Sequence, residues 1–183
     1  MNKTIFLKNY INNFKSLLNF DNDEYQKLYK VAKILIGLRK SKKKAIIAGN
    51  GGSAAIASHF SVDLTKNAKV RCINFNEMDL LTCFANDFGY EKWIEKSLDF
   101  YAEKNDILIL VSASGKSPNI INAAKKAKKI GLKLITFSGF KNKNPLEKLG
   151  DINFSINSKN YNHIENTHQV MLLSLVDLII EEN

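Results

Sequence analysis

The 183-residue chain has little cysteine and no long apolar run. Its two cysteines, Cys72 and Cys83, are too few for a disulfide framework and too far apart for a redox CxxC pair. That argues for a reduced, cytoplasmic setting. No apolar stretch approaches the ~20 residues that cross a bilayer. The opening MNKTIFLKNY holds a Lys but neither a continuous apolar segment nor a small-residue cleavage site, so no signal peptide and no membrane partner are expected. What is present is globular: 45% hydrophobic and 25% charged residues exclude a disordered or fibrous chain. The length suits one domain with a real core, comprising a helical segment over 1–43 and an α/β core over 44–183.

Charge is unevenly placed. The net charge is +9, yet residues 1–45 alone hold 11 Lys+Arg against 3 Asp+Glu. The densest run is Arg39, Lys40, Lys42, Lys43 and Lys44. A nucleic-acid surface would want these charges on one face, interleaved with aromatic or groove-reading residues. Lysines gathered at a helix C-terminus, where they complement the macrodipole, are the simpler reading. Nucleic acid is therefore not the expected partner.

Periodicity predicts two leading helices, over about 4–18 and 22–39, the second opened by an Asp21/Glu24 capping box and faced by Leu28, Val31, Leu35 and Leu38. The period then changes. AIIAG (45–49) is a short continuous apolar run, as in a strand buried on both faces. Helical 54–65, strand 70–75, helical 77–85 and 90–104, strand 107–112, helical 117–130, strand 132–138, strand 152–156 and a helix over 162–182 follow. Such alternation predicts a three-layer αβα sandwich around a five-stranded parallel, flavodoxin-like sheet. Ligands gather at the C-terminal ends of strands in folds of this kind.

Two such ends carry chemistry. The first strand runs into Asn50-Gly51-Gly52-Ser53, where glycine allows close backbone approach and a helix start offers N–H groups to an anion or a sugar oxygen. No Gly-Lys-Ser/Thr follows, so it is not a Walker loop, and Ala54 stands where GxGxxG needs its third glycine. The third strand runs into Ser112-Ala113-Ser114-Gly115-Lys116-Ser117-Pro118. Three hydroxyls at a helix start make an oxyanion cradle of hydrogen bonds rather than arginines. Capping by Ser114 or Ser117 would explain only one of them. The metal carboxylates and nucleotide lysine of a phosphoryl-transfer enzyme are missing. A small phosphorylated ligand with hydroxyls, a sugar phosphate, fits both loops.

GNGGSAAIASHF, TCFANDFGY, SASGKSPNII and a final helix carrying IENTH together resemble the sugar-isomerase (SIS) domain, and within it the phosphoheptose isomerases, which interconvert sedoheptulose 7-phosphate and glycero-manno-heptose 7-phosphate for surface polysaccharide synthesis. The resemblance spans nearly the whole chain. It implies a homotetramer with sites at subunit interfaces. It implies substrate contacts from Asn50, Gly51, Gly52, Ser53, Asn86, Asp87, Ser112, Ala113, Ser114 and Ser117, with Ala113 where a Thr is usual. It implies His59 as a zinc ligand. Asp63 stands at the catalytic carboxylate, normally Glu, and Glu165 at a Gln that binds substrate and metal. Leu173 stands at a second His that is both metal ligand and acid/base. Asp63 and Glu165 are thus the expected catalytic carboxylates, and His59, Asp63 and Glu165 a possible zinc set. His168 lies on the Glu165 helix face as a candidate substitute for the missing His. Loss of that His also fits a non-catalytic phosphosugar-binding adaptor, like the replication-initiator-associating member of the same family. Both cysteines are expected in the core.

Overall fold

The computed structural model describes residues 2–140 and 144–182. Two helices lead, α1 (Lys3–Ser16) and α2 (Asn22–Arg39). The capping box at Asp21 forms as expected, with its carboxylate accepting from the Glu24 N–H and the Glu24 carboxylate from the Asp21 N–H. Then come β1 (Ala45–Gly49), α3 (Gly52–Lys66), β2 (Cys72–Asn74), α4 (Met78–Phe88), α5 (Trp93–Tyr101), β3 (Ile107–Ser112), α6 (Pro118–Lys129), β4 (Lys133–Gly139), β5 (Ile152–Ile156) and α7 (Tyr161–Glu181). The strands pair in the order β2-β1-β3-β4-β5, every pairing parallel. Parallel neighbours need crossovers, and helices supply them on both faces.

Each strand sends alternate side chains to opposite layers. Ala45, Ile47, Ile107, Ile109, Val111, Ile135, Phe137, Ile152 and Phe154 pack in one cluster with α2, α3 and α7. Ile46, Ala48, Leu108, Leu110 and Leu134 pack in the other, with Trp93, Ile94 and Leu98 of α5 and Ile120, Ala123 and Ala127 of α6. β1 and β3 are buried along their whole length because they lie centrally. Edge strand β5 buries only alternate residues.

The expected 70–75 strand shrinks to three residues. Val70 is buried and its N–H bonds the Leu64 carbonyl, so the chain is still leaving α3 there. The expected 77–85 and 90–104 helices become 78–88 and 93–101, with Gly89 at φ 86° between them. The cysteine expectation fails for one residue: Cys72 is buried, but Cys83 lies on the outward side of α4 and is exposed. No helix among the described residues is long and apolar enough to cross a membrane.

Part of the N-terminal basicity is used inside the fold. Arg39 donates from Nε to the Ala68 carbonyl and from a guanidinium NH₂ to the Ile179 carbonyl, both at 2.8 Å. Lys43 pairs with Glu103 at 2.9 Å and Lys44 with the buried Asp106 at 2.7 Å.

Candidate functional site

The ends of β1 and β3 lie side by side because the two strands are paired in register, Gly49 opposite Val111. Their loops therefore meet. A cavity of about 150 Å³ is lined by Asn50, Ser53, Ser112, Ala113, Ser114, Ser117, Tyr161 and Glu165. All of these except Tyr161 were expected from the sequence.

Local geometry turns the serine loop into a set of donors. The Ser112 hydroxyl accepts the Gly115 N–H at 3.2 Å, and the Ser114 hydroxyl accepts the Lys116 N–H at 3.3 Å. With their oxygens so engaged, the two O–H groups remain to donate to an oxyanion. Ser117 is the N-cap residue of α6, with Pro118 in the first turn, yet its side chain makes no capping bond. Capping thus fails to explain this serine. Replacing Ser117 by Ala should change stability by less than about 0.5 kcal/mol, where a bonded cap would lose about 1 kcal/mol. It should weaken sugar-phosphate binding roughly tenfold, the loss of one charge-assisted hydrogen bond. Urea unfolding and titration calorimetry separate these outcomes.

On the glycine loop, Gly51 takes φ 55° and ψ −123°, a backbone open to glycine. At Gly52 a Cβ would overlap the Glu165 carboxylate, so the missing side chain is what lets α7 bring that carboxylate to the start of α3. Glu165 makes no hydrogen bond to a described residue, and burial raises its carboxyl above its ordinary value. Asn50 is held from behind: its Nδ2 donates to Asn119 Oδ1 at 3.0 Å, and its Oδ1 accepts from Asn119 Nδ2 at 2.8 Å and from the Tyr90 hydroxyl at 3.3 Å.

His59 and Asp63 stand elsewhere on α3. They pair with each other, Nε2 to Oδ2 at 3.2 Å, and His59 Nδ1 meets Gln169 Nε2 of α7 at 3.5 Å. The span from Ser53 to Asp63 is about 15 Å along a helix axis. Neither residue of the pair lines the cavity. The expected zinc set is accordingly not assembled within one chain: among the described residues no three His, Cys, Asp or Glu side chains converge to hold a metal ion. A site of that kind needs three protein ligands on one ion, and this chain alone supplies a pair. Asn86 and Asp87 also stay outside the cavity. They are exposed on α4, and Asn86 Nδ2 donates to Asp87 Oδ1 at 3.0 Å.

His168 does not replace the His missing at Leu173. It is completely buried, and its Nε2 bonds the Ser138 carbonyl at 2.9 Å. Burial lowers its pKa to about 4. Between pH 6.5 and 4 the unfolded chain binds a proton that the folded chain refuses, so stability is complete above 6.5 and falls as pH drops. At pH 4.5 this amounts to about 2–3 kcal/mol. Urea unfolding at about pH 7 and about pH 4.5 should show a smaller acid loss in His168→Gln than in wild type by that amount.

The sequence reading missed Tyr161, Asn119 and Tyr90. Asn119 sits within the SPNII segment but reads only as a helix start. Tyr161 and Tyr90 give no local signal, because only the packing of α7 and of the 89–92 turn brings them near.

Fold and site define a class: a doubly wound parallel α/β protein with a glycine- and serine-lined oxyanion pocket where two central strands end. The chain belongs to the SIS domain family, whose sequence profile matches residues 9–139, and within it groups with the phosphoheptose isomerases. It is 30% identical to the phosphoheptose isomerase of Aliarcobacter butzleri over 98% of each chain, and 34% identical to that of Helicobacter pylori over 80% of this chain and 79% of the other. In fold it is similar to a phosphoheptose isomerase structure from Francisella tularensis, with TM-score 0.88, 22% identity and full coverage of both chains. The phosphoheptose isomerase structure from Neisseria gonorrhoeae gives TM-score 0.82 at 22% identity, over 95% of this chain and 98% of that one.

Proposed function

We propose that the protein is an isomerase that interconverts sedoheptulose 7-phosphate and its aldose, D-glycero-D-manno-heptose 7-phosphate. The pocket carries this reading: freed serine hydroxyls face a cavity that also holds a carboxyl, as binding a phosphorylated sugar and moving its protons requires. The serine loop takes the phosphate, and Asn50 and the Gly51–Ser53 segment take sugar oxygens. Aldose–ketose exchange passes through an enediol. A base removes a proton from one carbon and returns it to the neighbouring carbon, while an acid serves the oxygens. Asp63, aligned by His59, is the base. Glu165, which lines the pocket and whose carboxyl burial raises above its ordinary value, is the group placed to exchange a proton with the oxygens.

A base must come within about 3 Å of the proton it takes. Asp63 does not line the pocket and stands about 15 Å along α3 from Ser53, which does. The functional unit is therefore a homo-oligomer, a tetramer by resemblance, in which His59 and Asp63 of one subunit complete the pocket of another. The setting is cytoplasmic, as a phosphorylated intermediate and reduced cysteines suggest, and the product feeds heptose-containing surface polysaccharide.

The test is conversion of sedoheptulose 7-phosphate by purified protein, with and without added zinc, followed by appearance of the aldose phosphate. Binding of the sugar phosphate without turnover under either condition would favour the adaptor reading instead.

A further inference from the structure

The polar side chain that joins the two loops lies outside the cavity. Asn119, the second residue of α6, is 1% exposed and does not line the pocket, whereas Asn50 does. The two carboxamides bond reciprocally across 69 residues of chain. An asparagine amide can make two donor and two acceptor bonds. Asn119 takes one of each from Asn50, and the Tyr90 hydroxyl takes the second acceptor position. One N–H of the Asn50 carboxamide is then left, the only capacity its side chain retains for a ligand.

We propose that Asn119 is a positioning residue of this site. Its amide fixes the orientation of the Asn50 carboxamide, so that with the Tyr90 hydroxyl on the second acceptor position a donor is presented, and it ties the β1–α3 loop to the helix start that ends the serine loop. The ligand oxygen bound there must consequently be an acceptor, a sugar hydroxyl, carbonyl or phosphate oxygen. Two loops bridged by one reciprocal amide pair, its Asn119 partner buried, keep a constant separation, so the distance between phosphate and sugar oxygens is set before the ligand arrives. The kinetic part of this inference rests on the isomerase reading; the structural part does not.

Two variants test it. Asn119→Leu keeps volume and removes both bonds. Asn119→Asp keeps the acceptor for Asn50 Nδ2 and loses the donor. Misplacement of this kind costs up to about 100-fold in rate, so kcat/KM should fall about 10–100-fold in Asn119→Leu, with the loss mainly in kcat and Tm little changed. In an Asn50→Ala background the same change should cost less than about twofold, because residues acting through one another are not additive. Equal losses in both backgrounds would overturn the proposal. Hydrogen exchange of the unliganded protein gives a readout that needs no substrate. Exchange in residues 49–53 should quicken about tenfold in both variants. Unchanged exchange would refute the proposal even if the isomerase assignment stands, and quickened exchange would uphold it even if sedoheptulose 7-phosphate is never turned over.

Discussion

Replacing Asp63 by Asn is expected to lower kcat for isomerisation by about 10²–10⁴-fold, the range for a lost general base. The change is isosteric. The carboxamide oxygen of Asp63→Asn could still accept from Asn67, which now lies 3.3 Å from the Asp63 carboxylate, so the helix should be undisturbed. Sugar-phosphate binding should persist, since Asp63 does not line the pocket that the serine loop forms. A kcat within about threefold of wild type would remove Asp63 from the mechanism. The same variant also tests the shared site. Ser114→Glu should block phosphate binding by placing a carboxylate in the cradle. If the base and the serine loop of one site come from different subunits, mixed oligomers of the two inactive variants contain some sites with both groups intact, and activity returns. If both come from one subunit, every site in the mixture carries a lesion and no activity returns.

The second large effect concerns stability. Asp106 is fully buried just before β3, at the N-terminal end of the central strands, opposite the pocket. Its carboxylate accepts three bonds: the Lys44 N–H at 3.0 Å, Lys44 Nζ at 2.7 Å and the Glu103 N–H at 2.9 Å. Lys44 leads into β1, so this one side chain joins the entries of the two central strands. Asp106→Ala would strand a largely buried ammonium and two backbone donors. Removing one partner of such a pair costs about 3–5 kcal/mol. Lys44→Met should cost less, because the two backbone N–H groups keep their acceptor. The urea midpoint should fall accordingly in Asp106→Ala, while kcat of the folded fraction stays unchanged. A loss below about 1 kcal/mol would show that the pair contributes little beyond its desolvation cost.

The fold was legible from the sequence because its signals are local and redundant. Nearly continuous apolar runs marked β1 and β3 to the residue, since a strand covered on both faces is built mostly of apolar side chains. The Asp21/Glu24 pair marked the start of α2, since a capping box is closed within four residues. β2 was harder: the expected strand 70–75 contains Val70, which is buried as part of the turn out of α3 rather than in the sheet. Burial alone does not separate these cases.

The site divides along the same line. Sequence by itself determined the loop chemistry, because Asn50–Ser53 and Ser112–Ser117 each act through contiguous residues that fold as one turn. It also determined family membership. Only the tertiary structure decided three further matters. It freed Ser117 from capping, because the bond that would engage it is not made. It buried His168 against the Ser138 carbonyl, which disqualifies it as a stand-in for a catalytic His. And it placed Glu165 in the pocket but His59 and Asp63 outside it. Residue spacing places groups on one helix face; which neighbour that face meets depends on how α3 and α7 pack.

The paucity of cysteine and of long apolar runs thus bounded the class of protein. Its working arrangement depends on contacts such as Asn50 to Asn119, between groups far apart in the chain, which no local pattern encodes.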